Sequence, residues 1–307
     1  MKRIPSIAIV IAVSALLGSS AWAEEGGEPY VVSVLSYNVH GIFPLAAKDD
    51  PRDRMPTIGW LAHKYDVVLL QEDFEFHGKL KQQLRGDAVG YRGNSVWRSP
   101  HLAITKVLTF PLFMWIPSLS IPYGSGVSTF VDKDLHVPDS AVREAYGSCH
   151  GWLNYANDCW GAKGYLRVRI RTPEGAEVDV YNTHLEAGGH EGDAAVRREQ
   201  MDVLVEGIER LSAGRAVIVA GDLNTDYIRP DDRDMVRDFR NRTGLLDSGA
   251  APELSRWRER DFIFYRSGAG ARLELESAGE ALEFAGRQRA LSDHAALYAN
   301  FRIEPVQ

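Results

Sequence analysis

A short apolar run ends in an acid and an amide at residues 216–224, Ala216-Val217-Ile218-Val219-Ala220-Gly221-Asp222-Leu223-Asn224. Its length and its uniformly apolar character are typical of a strand that is buried on both faces. Strand ends are where α/β proteins place ligand sites, because side chains there are held rigidly and face a crevice. Asp222 and Asn224 are therefore candidate functional residues, although a turn or a helix cap explains one such cluster equally well.

Four more polar clusters lie beside strand-like runs elsewhere in the chain. They are Tyr37-Asn38, Gln71-Glu72, Thr183-His184-Leu185 and Ser292-Asp293-His294. Carboxylate and amide oxygens hold hard divalent cations, and an imidazole can activate water. Five such clusters in one chain predict metal-dependent hydrolysis of a phosphate ester.

The rest of the chain alternates between strand and helix patterns. Apolar spacing predicts helices over residues 51–64, 76–84 and 193–211, and the last of these has the clearest apolar stripe. Residues 165–170 and 178–182 predict a hairpin with a turn at 173–175. Because no repeat or linker interrupts this alternation, we expect a single α/β domain of packed layers.

The clusters in this order resemble the motifs of the endonuclease/exonuclease/phosphatase superfamily, which has the DNase I-like fold. The motifs are Ser36-Tyr37-Asn38-Val39, Leu70-Gln71-Glu72, Asn182-Thr183-His184-Leu185, Gly221-Asp222-Leu223-Asn224, Arg260-Asp261-Phe262-Ile263 and Ser292-Asp293-His294. The resemblance covers almost all of the chain after residue 23. It implies a four-layer α/β sandwich, in which helices flank two packed central sheets.

The same resemblance implies a set of metal ligands. Glu72 is the principal ligand for Mg²⁺, or for Mn²⁺ or Ca²⁺ in its place, and Asn38 lies beside it. Asp293 supports the metal or its waters. Asp222 and Asn224 position the attacking water or a second metal.

The resemblance also implies catalytic roles for two histidines. His294 is the general base that takes a proton from the attacking water, and Asp261 orients His294 and stabilises its imidazolium. His184 donates a hydrogen bond to a phosphoryl oxygen as negative charge builds. His40 is expected either at the substrate or on a loop surface.

The first 23 residues have the pattern of an export signal. A basic head at Lys2-Arg3 precedes an apolar run that is shorter than the roughly 20 residues of a membrane span. We expect cleavage after Ala23, a catalytic domain over residues 24–307, and a periplasmic or secreted protein. No later stretch is long and apolar enough to span a bilayer. In an exported protein, Cys149 and Cys159 are expected to form a disulfide that contributes about 2–3 kcal/mol.

The charge of the chain disfavours a polyanionic substrate without excluding it. The formal net charge of −7 becomes −9 once residues 1–23, which hold two basic residues and no acidic one, are removed. The cysteine pair followed by Lys163-Gly164 resembles bacterial sphingomyelinases, which implies hydrolysis of sphingomyelin to ceramide and phosphocholine. The alternatives are a secreted endonuclease that cleaves DNA or RNA, a phosphatase acting on inositol phosphates or other phosphomonoesters, and a non-catalytic binding module.

Two aromatic segments bear on a phospholipid headgroup as partner. Residues 110–123 predict either a peripheral membrane contact or ordinary core packing. Trp152, Tyr155 and Trp160 form either a cation–π site for choline or the packing around the disulfide. No heptad repeat or long edge strand stands out, so we expect a monomer.

Overall fold

The computed structural model describes residues 29–42, 51–84, 88–93, 124–151, 158–226, 228–249, 260–286 and 290–306. The expected signal segment, the aromatic segment 110–123, and Trp152 and Tyr155 lie outside these residues, as does the side chain of Trp160. Within the described ranges, no helix has the length and apolar character needed to cross a bilayer.

Twelve strands form two six-stranded mixed sheets in the described part of the chain. The first sheet has the order β11-β12-β1-β2-β4-β3, with β1 at Tyr30–Asn38, β2 at Val67–Gln71, β3 at Val89–Arg92, β4 at Ser128–Val131, β11 at Arg272–Glu280 and β12 at Leu297–Glu304. The second has the order β5-β6-β7-β8-β10-β9, with β5 at Val142–Ala145, β6 at Gly164–Arg171, β7 at Glu177–His184, β8 at Val217–Asp222, β9 at Leu246–Asp247 and β10 at Asp261–Arg266.

Four α-helices cover the outer faces of these sheets in the described residues. They are α1 at Pro51–Ala62, α2 at His77–Lys81, α3 at Glu191–Leu211 and α4 at Pro230–Thr243. One apolar cluster lies between the sheets, a second joins α3 and α4 to the second sheet, and a third joins α1 and α2 to the first sheet. The predicted four-layer α/β sandwich is confirmed.

Element boundaries agree with the sequence where the apolar pattern is dense. The helix predicted over 193–211 is α3, and the hairpin predicted around residues 173–175 joins β6 to β7. The helix predicted over 76–84 was too long, because α2 ends at Lys81 and only Leu80 of its five residues is buried. The sequence patterns did not predict α4, because its buried face holds only three apolar residues among many charges.

The topology brings the functional strand ends to one edge of the sandwich. The parallel pair β1 and β2 ends at Asn38 and Gln71, which face each other in register. The parallel pair β7 and β8 ends at His184 and Asp222, also in register. Because β10 runs antiparallel to β8, its first residue, Asp261, lies opposite Asp222.

A buried amide links the two sheets just below this edge. Asn182 Nδ2 donates to the carbonyl oxygens of Leu70 and Ser128, at 3.0 and 2.9 Å, and its Oδ1 accepts from Gln71 Nε2 at 2.8 Å. The bonds cross from β7 to β2 and β4, and hydrogen bonds to buried amides are costly to lose. Asn182 therefore fixes the distance between the sheets whose ends carry the candidate site.

Candidate active site

Two overlapping groups of carboxylates and imidazoles lie at the convergent strand ends. Glu72, His184 and Asp222 form the first group, and Asp222, Asp261 and His294 form the second. Within each group the ligand atoms lie within 4.8 Å of one another. Asp222 belongs to both groups, so a single buried carboxylate connects them.

The Asn38 amide connects the two carboxylates of the first group. Its Nδ2 donates to Glu72 Oε1 at 3.1 Å and to Asp222 Oδ2 at 2.9 Å. Its Oδ1 accepts from the backbone amide of His40 at 2.9 Å. In this orientation Asn38 positions the carboxylates, and the ligand role expected for it requires its amide to turn.

The backbone is left-handed at three residues of the site. The φ angles are 46° at His40, 52° at Glu72 and 52° at Asn224. This conformation is uncommon outside glycine and costs on the order of 1–3 kcal/mol per residue. These three residues follow the ends of β1, β2 and β8 by one or two positions. The chain turns sharply there, and the turn places the side chains at the edge of the sandwich that carries the site.

His294 and Asp261 form the expected imidazole–carboxylate pair. His294 Nδ1 lies 2.8 Å from Asp261 Oδ2, and His294 Nε2 lies 3.7 Å from Asp222 Oδ2. Burial lowers the pKa of His294, but the charges of Asp261 and Asp222 outweigh burial and raise that pKa to about 10. Burial raises the pKa of Asp261 to about 6.

His184 lies at the centre of the buried cluster. Its Nε2 lies 3.0 Å from Asn224 Nδ2 and 3.2 Å from Lys163 Nζ. The same atom lies 3.5 Å from Asp222 Oδ2. Burial and the charge of Lys163 lower the pKa of His184. Its expected role, donation toward a phosphoryl oxygen, stays a prediction.

His40 links Asp293 to the first group. His40 Nδ1 lies 3.4 Å from Glu72 Oε2 and 3.2 Å from Asp293 Oδ1. The hydrogen bond with Glu72 raises the pKa of His40. Asp293 is more than half exposed, and His40, which was expected either at the substrate or on a loop surface, lies between it and Glu72.

The disulfide between Cys149 and Cys159 is confirmed, and Asp158, next to Cys159, contacts the site through Lys163. Lys163 Nζ donates to Asp158 Oδ2 at 2.8 Å and to the Leu185 carbonyl oxygen at 2.6 Å. Lys163 is buried beside His184. In the sequence, Lys163 stands out only through a family likeness, since a single lysine before a strand carries no chemical signal of its own.

The donor set fits a hard divalent cation. Glu72 and Asp222 supply two carboxylates at the same edge, which is the ligand type that Mg²⁺ prefers. Burial raises the pKa of Glu72, but hydrogen bonds with His40 and Asn38 and the charge of His184 outweigh burial and hold that pKa below its usual range. Both carboxylates are therefore ionised at neutral pH and available to a cation.

A model of the endonuclease/exonuclease/phosphatase family matches residues 35–294 of this chain. A sphingomyelinase from Mycobacterium tuberculosis is 29% identical over 287 residues, which cover 88% of this chain and 52% of the relative. The chain thus spans about half the length of the curated relatives it matches.

Solved structures share the fold at low sequence identity. A beta toxin variant from Staphylococcus aureus with bound magnesium ions has a TM-score of 0.59 and 16% identity, covering 88% of this chain and 99% of the toxin chain. The human Nocturnin catalytic domain has a TM-score of 0.62 and 18% identity, covering 90% of this chain and 94% of Nocturnin. At these identities the likeness establishes the fold and does not choose a substrate.

Proposed function

This chain belongs to the endonuclease/exonuclease/phosphatase family, and we propose that it is an exported, Mg²⁺-dependent phosphodiesterase that hydrolyses sphingomyelin to ceramide and phosphocholine. The observation that carries the hydrolytic chemistry is the convergence of Glu72, Asp222 and the His294–Asp261 pair at one edge of the sandwich. These groups combine cation ligands with an oriented base, as metal-assisted hydrolysis requires.

Glu72 and Asp222 would hold the cation, with Asn38 keeping the two carboxylates in place. When bound, Mg²⁺ would neutralise negative charge on the phosphoryl oxygens. A cation held at Asp222 would also offset one of the carboxylate charges that raise the pKa of His294. His294 would then be neutral at lower pH and able to act as a base.

The remaining residues orient the reacting groups. His294 takes the proton of the attacking water, and Asp261 stabilises the imidazolium that forms, across 2.8 Å. Lys163 and Asn224 hold the ring of His184 in place through their contacts with its Nε2. From this position His184 would donate a hydrogen bond to a phosphoryl oxygen, and a donor fixed in a buried site is worth more than the same donor in water.

Two observations support sphingomyelin as the substrate. The similarity to a sphingomyelinase extends over 88% of this chain. A cleft of about 450 Å³ beside His294, the acidic cleft, is lined by Asp261, Glu280 and Asp293 as well as by apolar residues such as Leu282. Carboxylates around an apolar cleft suit the cationic choline group.

A nuclease is the second candidate, because a different cleft beside Asn224 is lined by Arg197, Arg229 and Arg260. Guanidinium groups are the side chains best suited to the phosphates of a nucleic acid. This positive charge is local, since the chain as a whole carries a formal net charge of −7.

Parallel assays on two substrates test the proposal. The purified chain is incubated with Mg²⁺, with and without EDTA, against sphingomyelin vesicles and against plasmid DNA. We expect EDTA-sensitive release of phosphocholine with intact plasmid, and no release by the His294→Ala variant. Plasmid cutting with untouched vesicles would establish the nuclease instead, and inactivity on every phosphodiester tried would favour a binding module.

A further inference from the structure

A cleft of about 400 Å³ opens beside Asn224, and His294 is not among its lining residues. We call it the arginine cleft, because Arg197, Arg229 and Arg260 line it, together with the single acidic residue Asp226. A cleft with one predominant charge and low-dielectric walls concentrates ligands of the opposite charge. The arginine cleft therefore favours an anion.

The acidic cleft has the opposite character. It is lined by the acids Asp261, Glu280 and Asp293, and Arg260 and His294 are its basic lining residues among those described. The positive charge is thus concentrated on the Asn224 side of the site. This asymmetry distinguishes two ligand-binding regions around one reaction centre.

Two of the arginines are placed to meet a ligand. Arg229 is exposed and is fixed at the cleft wall, since its Nη1 donates to the Gly189 carbonyl oxygen at 2.8 Å and its Nε lies 3.6 Å from Asp226 Oδ2. Arg260 is exposed, and its side chain makes no hydrogen bond or ion pair to the residues that the structure describes. A planar guanidinium binds phosphate through two parallel hydrogen bonds.

The backbone adds two donors to this cleft. The amides of Gly188 and Gly189, which line it, have no acceptor in the described part of the chain, and Gly188 has a left-handed φ of 97°. Successive amides in such a turn form a concavity that binds anions. Arg197 lies buried behind the turn, donates to the Gly188 carbonyl oxygen at 2.9 Å, and keeps a buried Nε without a partner.

We propose that the arginine cleft is a second anion subsite, in which Arg229, Arg260 and the amides of Gly188 and Gly189 bind a phosphate group next to the phosphate that is hydrolysed. The inference rests on the proposed function only for the position of the scissile phosphate beside Asn224. The second phosphate comes either from an anionic lipid next to the substrate in a membrane or from a soluble phosphate ester.

A titration with inorganic phosphate tests the subsite directly. Calorimetry with the full chain in EDTA compares the wild type with Arg229→Gln, Arg260→Gln and the control Arg237→Gln. Arg237 lies within α4, is largely exposed and pairs with Asp234. Its substitution changes the net charge by the same amount as the other two but leaves the arginine cleft intact. We expect about tenfold weaker binding in each cleft variant, the effect of losing one charged hydrogen bond, and wild-type binding in Arg237→Gln.

Co-sedimentation with vesicles of phosphatidylcholine, with and without phosphatidic acid, separates the two sources of phosphate. A gain in binding with phosphatidic acid that the cleft variants lose identifies an anionic lipid, and loss of inorganic phosphate binding alone identifies a soluble ester. Phosphate binding by both cleft variants that equals that of Arg237→Gln would overturn the subsite. If Arg229→Gln fails to fold, the phosphate binding of Arg260→Gln alone tests the subsite.

These readouts are independent of hydrolysis. A chain that binds phosphate through the arginines but leaves sphingomyelin intact would overturn the proposed substrate and keep the subsite. Cleavage of sphingomyelin, together with phosphate binding by the cleft variants that equals that of the control, would overturn the subsite and keep the proposed substrate.

Discussion

Asp222 belongs to both groups of carboxylates and imidazoles in the site and contacts residues of each. Its Oδ2 lies 2.9 Å from Asn38 Nδ2, 3.5 Å from His184 Nε2 and 3.7 Å from His294 Nε2. Burial raises its pKa, but the charges of His294 and His184 outweigh burial and hold that pKa below its usual range. A buried carboxylate that stays ionised requires positive partners, and a bound cation would be the strongest of them.

The Asp261→Asn variant tests how His294 is positioned. We expect kcat to fall by about 10²–10⁴-fold with little change in KM, because the base loses the carboxylate that orients it. The negative charge of Asp261 raises the pKa of His294, so its removal lowers that pKa and moves the acid limb of the kcat profile to lower pH. A pH–rate series measures both effects.

Asp234→Asn is the matched control for this series, since Asp234 is exposed and pairs with Arg237 away from the site. It should leave both kcat and the acid limb unchanged. An Asp261→Asn variant with an unmoved acid limb would contradict the positioning role.

Glu186 makes stability depend on pH. Burial and the charge of Asp158 raise its pKa from 4.5 to about 7, against the opposing effects of Lys163 and the His150 amide. The folded state holds this proton more tightly than the unfolded state. The contribution of Glu186 to the free energy of unfolding is therefore fully present below pH 4.5 and is lost as pH rises through about 7. Glu186→Gln removes the titrating group and keeps an acceptor for the His150 amide, 2.8 Å away.

We therefore expect the unfolding free energy of Glu186→Gln, relative to the wild type, to increase with pH through this window and to level off above it. Urea unfolding at several pH values measures the difference. Glu199→Gln, which replaces an exposed acid on the helix α3 that follows this loop, should show a difference that is independent of pH. The same flat profile in Glu186→Gln would show that Glu186 does not titrate in this range.

At the scale of elements, the parallel contact between β7 and β8 aligns the site. His184 faces Asp222 in register, and Thr183 faces Gly221. Gly221 has a φ of 153°, and a Cβ built on it would lie 2.0 Å from the Thr183 carbonyl oxygen. Only glycine allows the strands to approach this closely next to the reaction centre.

Gly221→Ala should therefore separate the ends of β7 and β8. We expect a loss of about 1–3 kcal/mol in the free energy of unfolding, a typical cost of a forced backbone shift in a packed core, with a loss of activity as well. Gly147→Ala is the control, because a Cβ there meets no atom within 4 Å. Equal stability of the two variants in urea unfolding would show that the contact relaxes without cost.

At the scale of the whole molecule, the sequence predicted those strands and helices whose apolar residues are closely and regularly spaced. These patterns predicted the strand ends that carry Asn38, Glu72, His184, Asp222 and Asp261, because buried strands are continuous apolar runs. The two-sheet architecture was implied by the family resemblance and not by the patterns. The patterns did not predict α4 or the edge strand β11, because both elements bury only a few apolar residues among many charged ones.

Contacts between distant segments were not predictable in the same way. Lys163 reaches His184, and His40 bridges Glu72 and Asp293, only because the fold closes these segments onto one edge. The hydrogen-bond role of His184 likewise depends on which donors the fold places around it. Periodicity along the chain holds no information on such pairs.

The most direct test is the Mg²⁺ dependence of phosphocholine release from sphingomyelin vesicles by the wild type, Glu72→Gln and Glu75→Gln. Glu75 lies three residues beyond Glu72 and outside both ligand groups found among the described residues. We expect the wild type and Glu75→Gln to be activated by Mg²⁺ and silenced by EDTA, and Glu72→Gln to lose at least 10²-fold in rate at every Mg²⁺ concentration. Wild-type rates in Glu72→Gln, or release that EDTA does not affect, would contradict a metal-dependent site at this edge.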